Sequence, residues 1–445
     1  MPRIPYANFC GPSYSGRSVS IATDRTINLY PEAVESGTGK NNYILVGTPG
    51  LKELCNTGTS EPIRGICTLG GKRILIAGRD TLYELNKSGE IVTLGSIAPD
   101  TEWNGLGVVT FAWNGTEYCI SSGGKGYTLN GNTLAATIDM DQVQYLDGYF
   151  VALQAADRKV RLSGLYDGST WNDLDFKEKE SARDYPISIL ADHGELWVFG
   201  EFTSEVWYNS GNSDFPLERV PNGRLELGCA ARNSVVKLDN SLFWIGNDER
   251  GNRVIWRADG YTAKRISNHA VEYALNLMIP QVDGLTIASS TTTFAIAWSY
   301  QEEGHSFYCV TFPNAPSSID WEDKTYFSNP SMWVYDCATN MWHERAYWNA
   351  ASGRYEPHRA RCHGYMWDHH IVGDRDNGKL YEQHLNYYDD SGDRIRRERI
   401  GVHVTNGMKQ LYFRSFQVDM DVAVGLGAID SSLYGPDQNG VSYRP

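Results

Sequence analysis

Three histidines, His363, His369 and His370, lie close together beside Cys362 and Asp368. These are the residue types that ligate zinc or copper. Ligation needs donors that converge, and adjacent residues on a strand point to opposite faces. His369 and His370 therefore do not easily share one ion, and no metal site is expected. The acid-rich stretch Asp374-Arg375-Asp376-Asn377-Gly378 has the flavour of a calcium loop. It lacks EF-hand spacing and an acid at the twelfth position, so it reads as a hairpin turn. Carboxylates at i, i+2, Asp173 with Asp175 and Asp419 with Asp421, would share a strand face. Such pairs can serve glycoside cleavage, but more often they mark the solvent side of an edge strand. Asp167-Gly168-Ser169-Thr170-Trp171 is one residue short of an Asp-box turn and reads as an Asp-capped turn with Trp171 packed inward. No G-x-S-x-G, P-loop or dinucleotide fingerprint occurs. No catalytic residue, cofactor or metal ligand is expected, and the chain reads as a non-enzyme.

The elements that would position these residues are strands. Of 445 residues, 12% are aromatic and 44 are glycine, a composition suited to pleated surfaces joined by tight turns. Apolar runs recur as hairpins: Ile74–Ala77 with Leu82–Leu85, Tyr118–Ile120 with Tyr127–Leu129, and Tyr149–Leu153 with Val160–Leu162. Two more follow, Leu196–Gly200 with Val206–Tyr208 and Leu242–Gly246 with Val254–Arg257. Two looser units come last, Phe307–Val310 with Met332–Asp336 and Ile371–Asp374 with Leu380–Glu382. The spacing is near that of a four-stranded propeller blade. The chain therefore reads as all-β, a degenerate β-propeller of six or seven blade-like units. Residues 1–40 read as an irregular N-terminal arm and 41–390 as the propeller, with an inserted loop near 311–330. Residues 391–445 read as a C-terminal strand extension, from the alternation at Ile400–Val404 and Leu411–Val418. Helical periodicity is confined to His269–Leu275.

A net charge of −14 argues against a surface that grips nucleic acid. The single basic run, Arg394-Ile395-Arg396-Arg397-Glu398-Arg399, reads as a solvated edge or loop. Met1-Pro2-Arg3-Ile4-Pro5 has no apolar signal region, and no stretch approaches the length of a membrane span. The eight cysteines never form C-x-x-C, so free, buried thiols made in a reducing cytosol are expected. Trp342, Tyr347 and Trp348, near the insertion, are candidate subunit-interface anchors.

A run of short motifs resembles one family. It begins with Ile27-Asn28-Leu29-Tyr30-Pro31-Glu32 and Thr48-Pro49-Gly50-Leu51. It continues through Glu195-Leu196-Trp197-Val198-Phe199-Gly200, Gly228-Cys229-Ala230-Ala231-Arg232-Asn233 and Phe243-Trp244-Ile245-Gly246. Glu303-Gly304-His305-Ser306-Phe307-Tyr308, Trp342-His343-Glu344-Arg345 and Val372-Gly373-Asp374 complete it. The order and wording are similar to the packaged-DNA-stabilisation, or tail hub (nozzle), family of short-tailed double-stranded-DNA phages. The end departs from many relatives, which finish on an Asp-box-like turn absent here. The resemblance implies a virion structural protein, synthesised in the host cytoplasm and assembled as a homohexamer. It would sit below the portal and its adaptor (the head-to-tail connector), where it retains packaged DNA and conducts it at ejection. Implied neighbours are a tail needle or plug and tail fibres or a tailspike. Genomic dsDNA would pass through the channel without sequence-specific binding. The alternative is a propeller that binds or degrades glycan.

Overall fold

The apolar runs become strands buried on both faces. Ile74–Ala77, Glu117–Ser122, Tyr149–Gln154, Glu195–Gly200, Ser241–Asn247, His305–Thr311 and His369–Asp374 are each the second strand of a four-stranded unit, and their middles are continuously buried. A blade packed between two others has no solvent face at its centre, so its middle strands read as apolar runs. Outermost strands such as Thr133–Asp139 and Thr262–Arg265 are mostly exposed and carry no such run. At several hairpins, turn residues sit in the left-handed region, among them Asp239 and Asn240 (φ 50° and 53°). Asn and Asp tolerate that conformation, which two-residue hairpins favour.

In this computed structural model the described residues are 9–16, 23–36, 42–99, 107–179, 184–247, 253–277, 281–282, 285–286, 295–312, 319–321, 324–326, 332–404, and 410, 412, 415 and 417–420. Five free-standing four-stranded sheets form blades 1 to 5, at residues 65–96, 110–139, 142–178, 186–225 and 236–265. The four-strand core of an eight-stranded sheet forms blade 6 (296–349). That of a six-stranded sheet forms blade 7, where Ala360–Met366, His369–Asp374 and Lys379–His384 are completed by Gly50–Asn56. Five and two make seven, within the range expected from the repeat. An apolar cluster fills every junction, including the one between blades 7 and 1, where Ile371 and Leu380 meet Ile74 and Ile76. The ring is therefore closed.

Closure uses chain ends that sequence reading treats differently. The arm is not irregular where it is described. Thr23–Ile27 pairs with blade 6 through Ile27 opposite Glu344, and Leu29–Ala33 forms a hairpin with Tyr43–Gly47. Gly50–Asn56 runs antiparallel to Lys379–His384 as the outer strand of blade 7. At the other end, Glu398–Ile400 pairs with Thr23–Ile27. Strand structure stops there: 401–404 and the described positions between 410 and 420 are not in strands. The strand expected over Ile400–Val404 is thus limited to a three-residue pairing of Glu398–Ile400 with the arm, and much of Leu411–Val418 lies outside the described residues. The basic run is correspondingly not a free edge. Arg399 donates to Phe9 O (2.6 Å), Pro12 O (3.0 Å), Thr26 Oγ1 (2.8 Å) and Asp24 Oδ1 (3.0 Å).

The helix forms as His269–Leu277, capped by Asn268, whose side chain accepts from Val271 N at 3.0 Å. Of the insertion, Ile319–Trp321 and Lys324–Tyr326 make a small hairpin between the second and third strands of blade 6. All eight cysteines are unbridged. Burial pushes the thiols of Cys67, Cys119, Cys229 and Cys309 up to about 12, which keeps them protonated and inert. No helix among the described residues is long and apolar enough to cross a membrane.

Candidate functional site

Two places concentrate polar chemistry: the seam between blades 6 and 7, and a groove at the hairpin tips of blades 4 to 6. The seam holds much of the chain's histidine. His363 Nε2 and His370 Nδ1 are 2.9 Å apart, and His363 stacks on Trp298 with centroids 5.5 Å apart. His369 points the other way and meets Glu382 at 2.6 Å, as strand alternation requires. The three histidines therefore do not converge. Among the described residues no three His, Cys, Asp or Glu side chains gather as a metal-binding group.

Deeper in the seam His343 is fully buried between Tyr30 and Phe307, with no hydrogen-bond partner for either ring nitrogen among the described residues. Burial, reinforced by Arg345, holds its pKa well below the usual imidazole range. His358 is driven down to about 3 by burial and the nearby Arg345, Arg359 and Arg375. Asp390, also buried, is pushed up to about 7 by burial, against the pull of Arg359. Burial thus favours the neutral forms of His343, His358 and Asp390 in the seam.

That arrangement fixes a pH dependence. Each depressed histidine contributes stability present above its unfolded pKa of about 6.5 and lost as pH falls toward the folded value. Asp390, raised, acts oppositely: its contribution is present below about 4 and lost as pH rises through about 7. Burial drives His363 down to about 3 as well, so between pH 6 and 4 unfolding takes up three histidine protons and releases one from Asp390. The net uptake is about two protons, so stability is expected to fall by roughly 2.7 kcal/mol per pH unit. Urea titrations at pH 6 and pH 4.5 check this, and His358→Phe should flatten the slope.

The groove, of about 610 Å³, lies where hairpin turns of three successive blades meet. Asp192, His193 and Glu195 come from blade 4, Asn240, Arg257, Asp259 and Tyr261 from blade 5, and Tyr335 and Asn340 from blade 6. Its side chains are tied to one another. His193 Nδ1 meets Asp192 Oδ2 and its Nε2 meets Asn240 Oδ1, each at 2.7 Å. Its pKa is raised, first by Asp192 and then by Asn240. Lys237 also pairs with Asp192. Arg257 donates to Asp239 at 2.8 Å and lies over the Phe243 ring. The Tyr261 hydroxyl donates to Glu195, and its ring stands 6.4 Å from that of Trp197. Sequence reading passed these residues over because they lie in or beside hairpin turns. The available signal was that the turns of blades 4 and 5 carry His, Asn and Tyr beside the expected glycine and aspartate.

The other sequence candidates stay apart. Asp167 accepts from Ser169 and Thr170, which lower its pKa, and Trp171 Nε1 donates to Gly168 O at 2.8 Å, so this is a capped turn. Asp173 pairs with Arg161 at 2.6 Å and Asp175 accepts from Asn172. Asp374 accepts from Tyr381 Oη at 2.7 Å and from Asp376 N in a hairpin turn. Asp419 is described and Asp421 lies outside the described residues. Trp342 is 1% exposed, packs on Tyr335 and donates to Ile266 O at 2.9 Å, which corrects its reading as an interface anchor: it fills the junction of blades 5 and 6. Tyr347 lies under Arg359 and bonds Asp393, while Trp348 lies under Arg396 and against Tyr355, so both are engaged within the chain.

A family model described as bacteriophage P22 Gp10, beta-propeller, matches residues 11–386. That span contains all seven blades. No curated protein matches. Among solved structures, the chain is similar to virginiamycin B lyase from Staphylococcus aureus, at TM-score 0.44 and 11% identity over 75% of this chain and 99% of that one. It is also similar to the N-terminal domain of Nup159, at TM-score 0.42 and 10% identity over 81% and 99%. At that level of likeness no chemistry transfers.

Proposed function

The chain belongs to the phage-stabilisation β-propeller family of bacteriophage P22 Gp10, and on that premise we propose that it is the tail hub, or nozzle, of a short-tailed phage. Membership makes it a structural protein of phage packaged-DNA stabilisation. The finer reading is ours: six copies form a ring below the portal and adaptor, close the DNA exit channel, and conduct the genome at ejection. A needle or plug and fibres or a tailspike are its neighbours in the virion.

The observation that carries the reading is the family match spanning the whole ring. The charge supports it. A net −14 per chain sums over six copies, and an acidic wall repels the phosphate backbone, so DNA slides past rather than sticking. We therefore expect an acidic lumen, and a six-fold ring whose calculated lumen potential is basic would overturn that part. The alternative of a glycan-degrading propeller calls for paired carboxylates in a cleft, and Asp173 and Asp175 are not so placed.

The experiment is light scattering with negative-stain imaging of the purified protein, alone and with a portal–adaptor preparation. A monomer that becomes a six-fold ring on the adaptor is the expected result. A monomer or trimer indifferent to the adaptor overturns the hub, and polysaccharide cleavage would then be assayed.

A further inference from the structure

We propose that the groove at the hairpin tips of blades 4 to 6 is a binding site for a neutral saccharide of one to three sugar rings. This proposal stands independently of the hub reading. Its volume, about 610 Å³, lies within the range of small-ligand sites.

The chemistry follows from how the lining groups are already used. The charges balance one another: Asp192 is countered by Lys237, and Asp239 by Arg257. An anion entering here would meet Asp192, Glu195 and Asp259, and a cation would meet Arg257 and Lys264. Neither finds a surplus of opposite charge. A polyhydroxylated neutral ligand uses both kinds of group, because each hydroxyl donates and accepts.

The internal bonds also set which valences remain. Asn240 Oδ1 accepts from His193, and Asn340 Oδ1 accepts from the Tyr335 hydroxyl at 2.8 Å. Both amide NH2 groups are therefore left as donors toward ligand oxygens. Glu195 is oriented by the Tyr261 hydroxyl and keeps its remaining lone pairs as acceptors. Holding these planar groups in place beforehand lowers the ordering cost of binding. Tyr261, 40% exposed at the rim and backed by Trp197, offers a ring face to the apolar C–H side of a pyranose. The same ring is a poor seat for a phosphate.

The test is a titration of the full-length protein with maltotriose, lactose and N,N′-diacetylchitobiose, followed by tryptophan fluorescence and ligand-observed NMR. Inorganic phosphate and spermidine serve as charged probes. We expect saturable binding of at least one sugar with Kd near or below about 1 mM. Tyr261→Ala should weaken it roughly tenfold, the scale of one lost aromatic contact. Asn240→Ala should weaken it as well, and Tyr412→Ala, exposed outside the groove, should leave it unchanged. Repeating the titration with intact host-surface polysaccharide separates the sources: capture of the polymer points to a surface glycan, and capture of the oligosaccharide alone to a soluble sugar. No saturation by any sugar up to about 10 mM, binding indifferent to Tyr261→Ala, or tighter binding of phosphate or spermidine overturns the proposal. Circular dichroism of Tyr261→Ala confirms that its fold is intact, so that lost binding reports on the groove.

Discussion

A chain that starts at residue 57 is expected to lose its cooperative native state, even though six of the seven blades keep every strand. The truncation removes the arm and, with it, the outer strand of blade 7, Gly50–Asn56, which lies along Lys379–His384 with Leu51 opposite Gln383 and Leu380 opposite Cys55. The paired segments are more than 320 residues apart in sequence. Bringing them together costs about 5 kcal/mol of loop-closure entropy, so ring closure must be offset by contacts at this strand and its surroundings. Leu51 is fully buried in the cluster between blades 6 and 7, with Trp298, Phe307 and Tyr381. Without the strand, that cluster opens and Lys379–His384 becomes a bare edge prone to pairing with other chains. A milder form of the same experiment keeps the chain whole. A methyl group at Gly50 would sit 2.4 Å from Tyr387 O and 2.5 Å from Asp389 O, both backbone atoms with little room to yield. Gly50→Ala should cost roughly 1–3 kcal/mol, as for other overpacked sites. Urea unfolding of both variants checks the argument, and a Gly50→Ala protein within 0.5 kcal/mol of the parent (about the noise of a neutral surface change) would falsify it.

The same geometry explains how much was legible in the sequence. All seven hairpins recognised as apolar runs prove to be the middle strands of the seven blades, such as Leu196–Gly200 in Glu195–Gly200 and Leu242–Gly246 in Ser241–Asn247. Middle strands are buried on both faces, so their composition declares them. Outer strands such as Ile91–Ser96 keep exposed residues through their length and leave no comparable run. The arm was misread for another reason. Besides its local partner Tyr14–Ser15, Thr23–Ile27 pairs with Glu344 and Glu398–Ile400, and no local pattern encodes a pairing across that distance. Its chain direction also changes at Asn28, whose φ is 55°, so the apolar residues on either side do not form one run. The alternation at Ile400–Val404 misled in the opposite sense: the arm offers an edge only as far as Ile400, and Val402 and Val404 remain exposed. The groove was illegible because its residues come from turns and adjoining strand ends of three blades, and only the packing of those blades brings them together.

Removing either partner of the Arg25–Glu344 pair should destabilise the protein by about 3–5 kcal/mol, the usual cost of leaving one charge of a buried pair alone. Arg25 Nε lies 3.3 and 3.1 Å from the two oxygens of Glu344 and its Nη2 3.0 Å from Oε2, a two-pronged contact. The residues are 7% and 2% exposed. The pair ties the arm to the fourth strand of blade 6. Beside it Asn28 bonds Ala346 in both directions and reaches Arg396 O, which brings in the C-terminal segment. Arg25→Ala and Glu344→Ala should each show the full loss in urea unfolding. The double variant should lose much less than their sum, because it leaves no isolated charge. A hydrophobic pair such as Arg25→Met with Glu344→Leu should restore most of the stability, since desolvation offsets much of what the ion pair contributes. Strict additivity of the two alanine variants would show that each acts through separate contacts. The arm would then be held by its backbone pairing and by Arg399, with the buried charges serving only to fix which strand of blade 6 it meets.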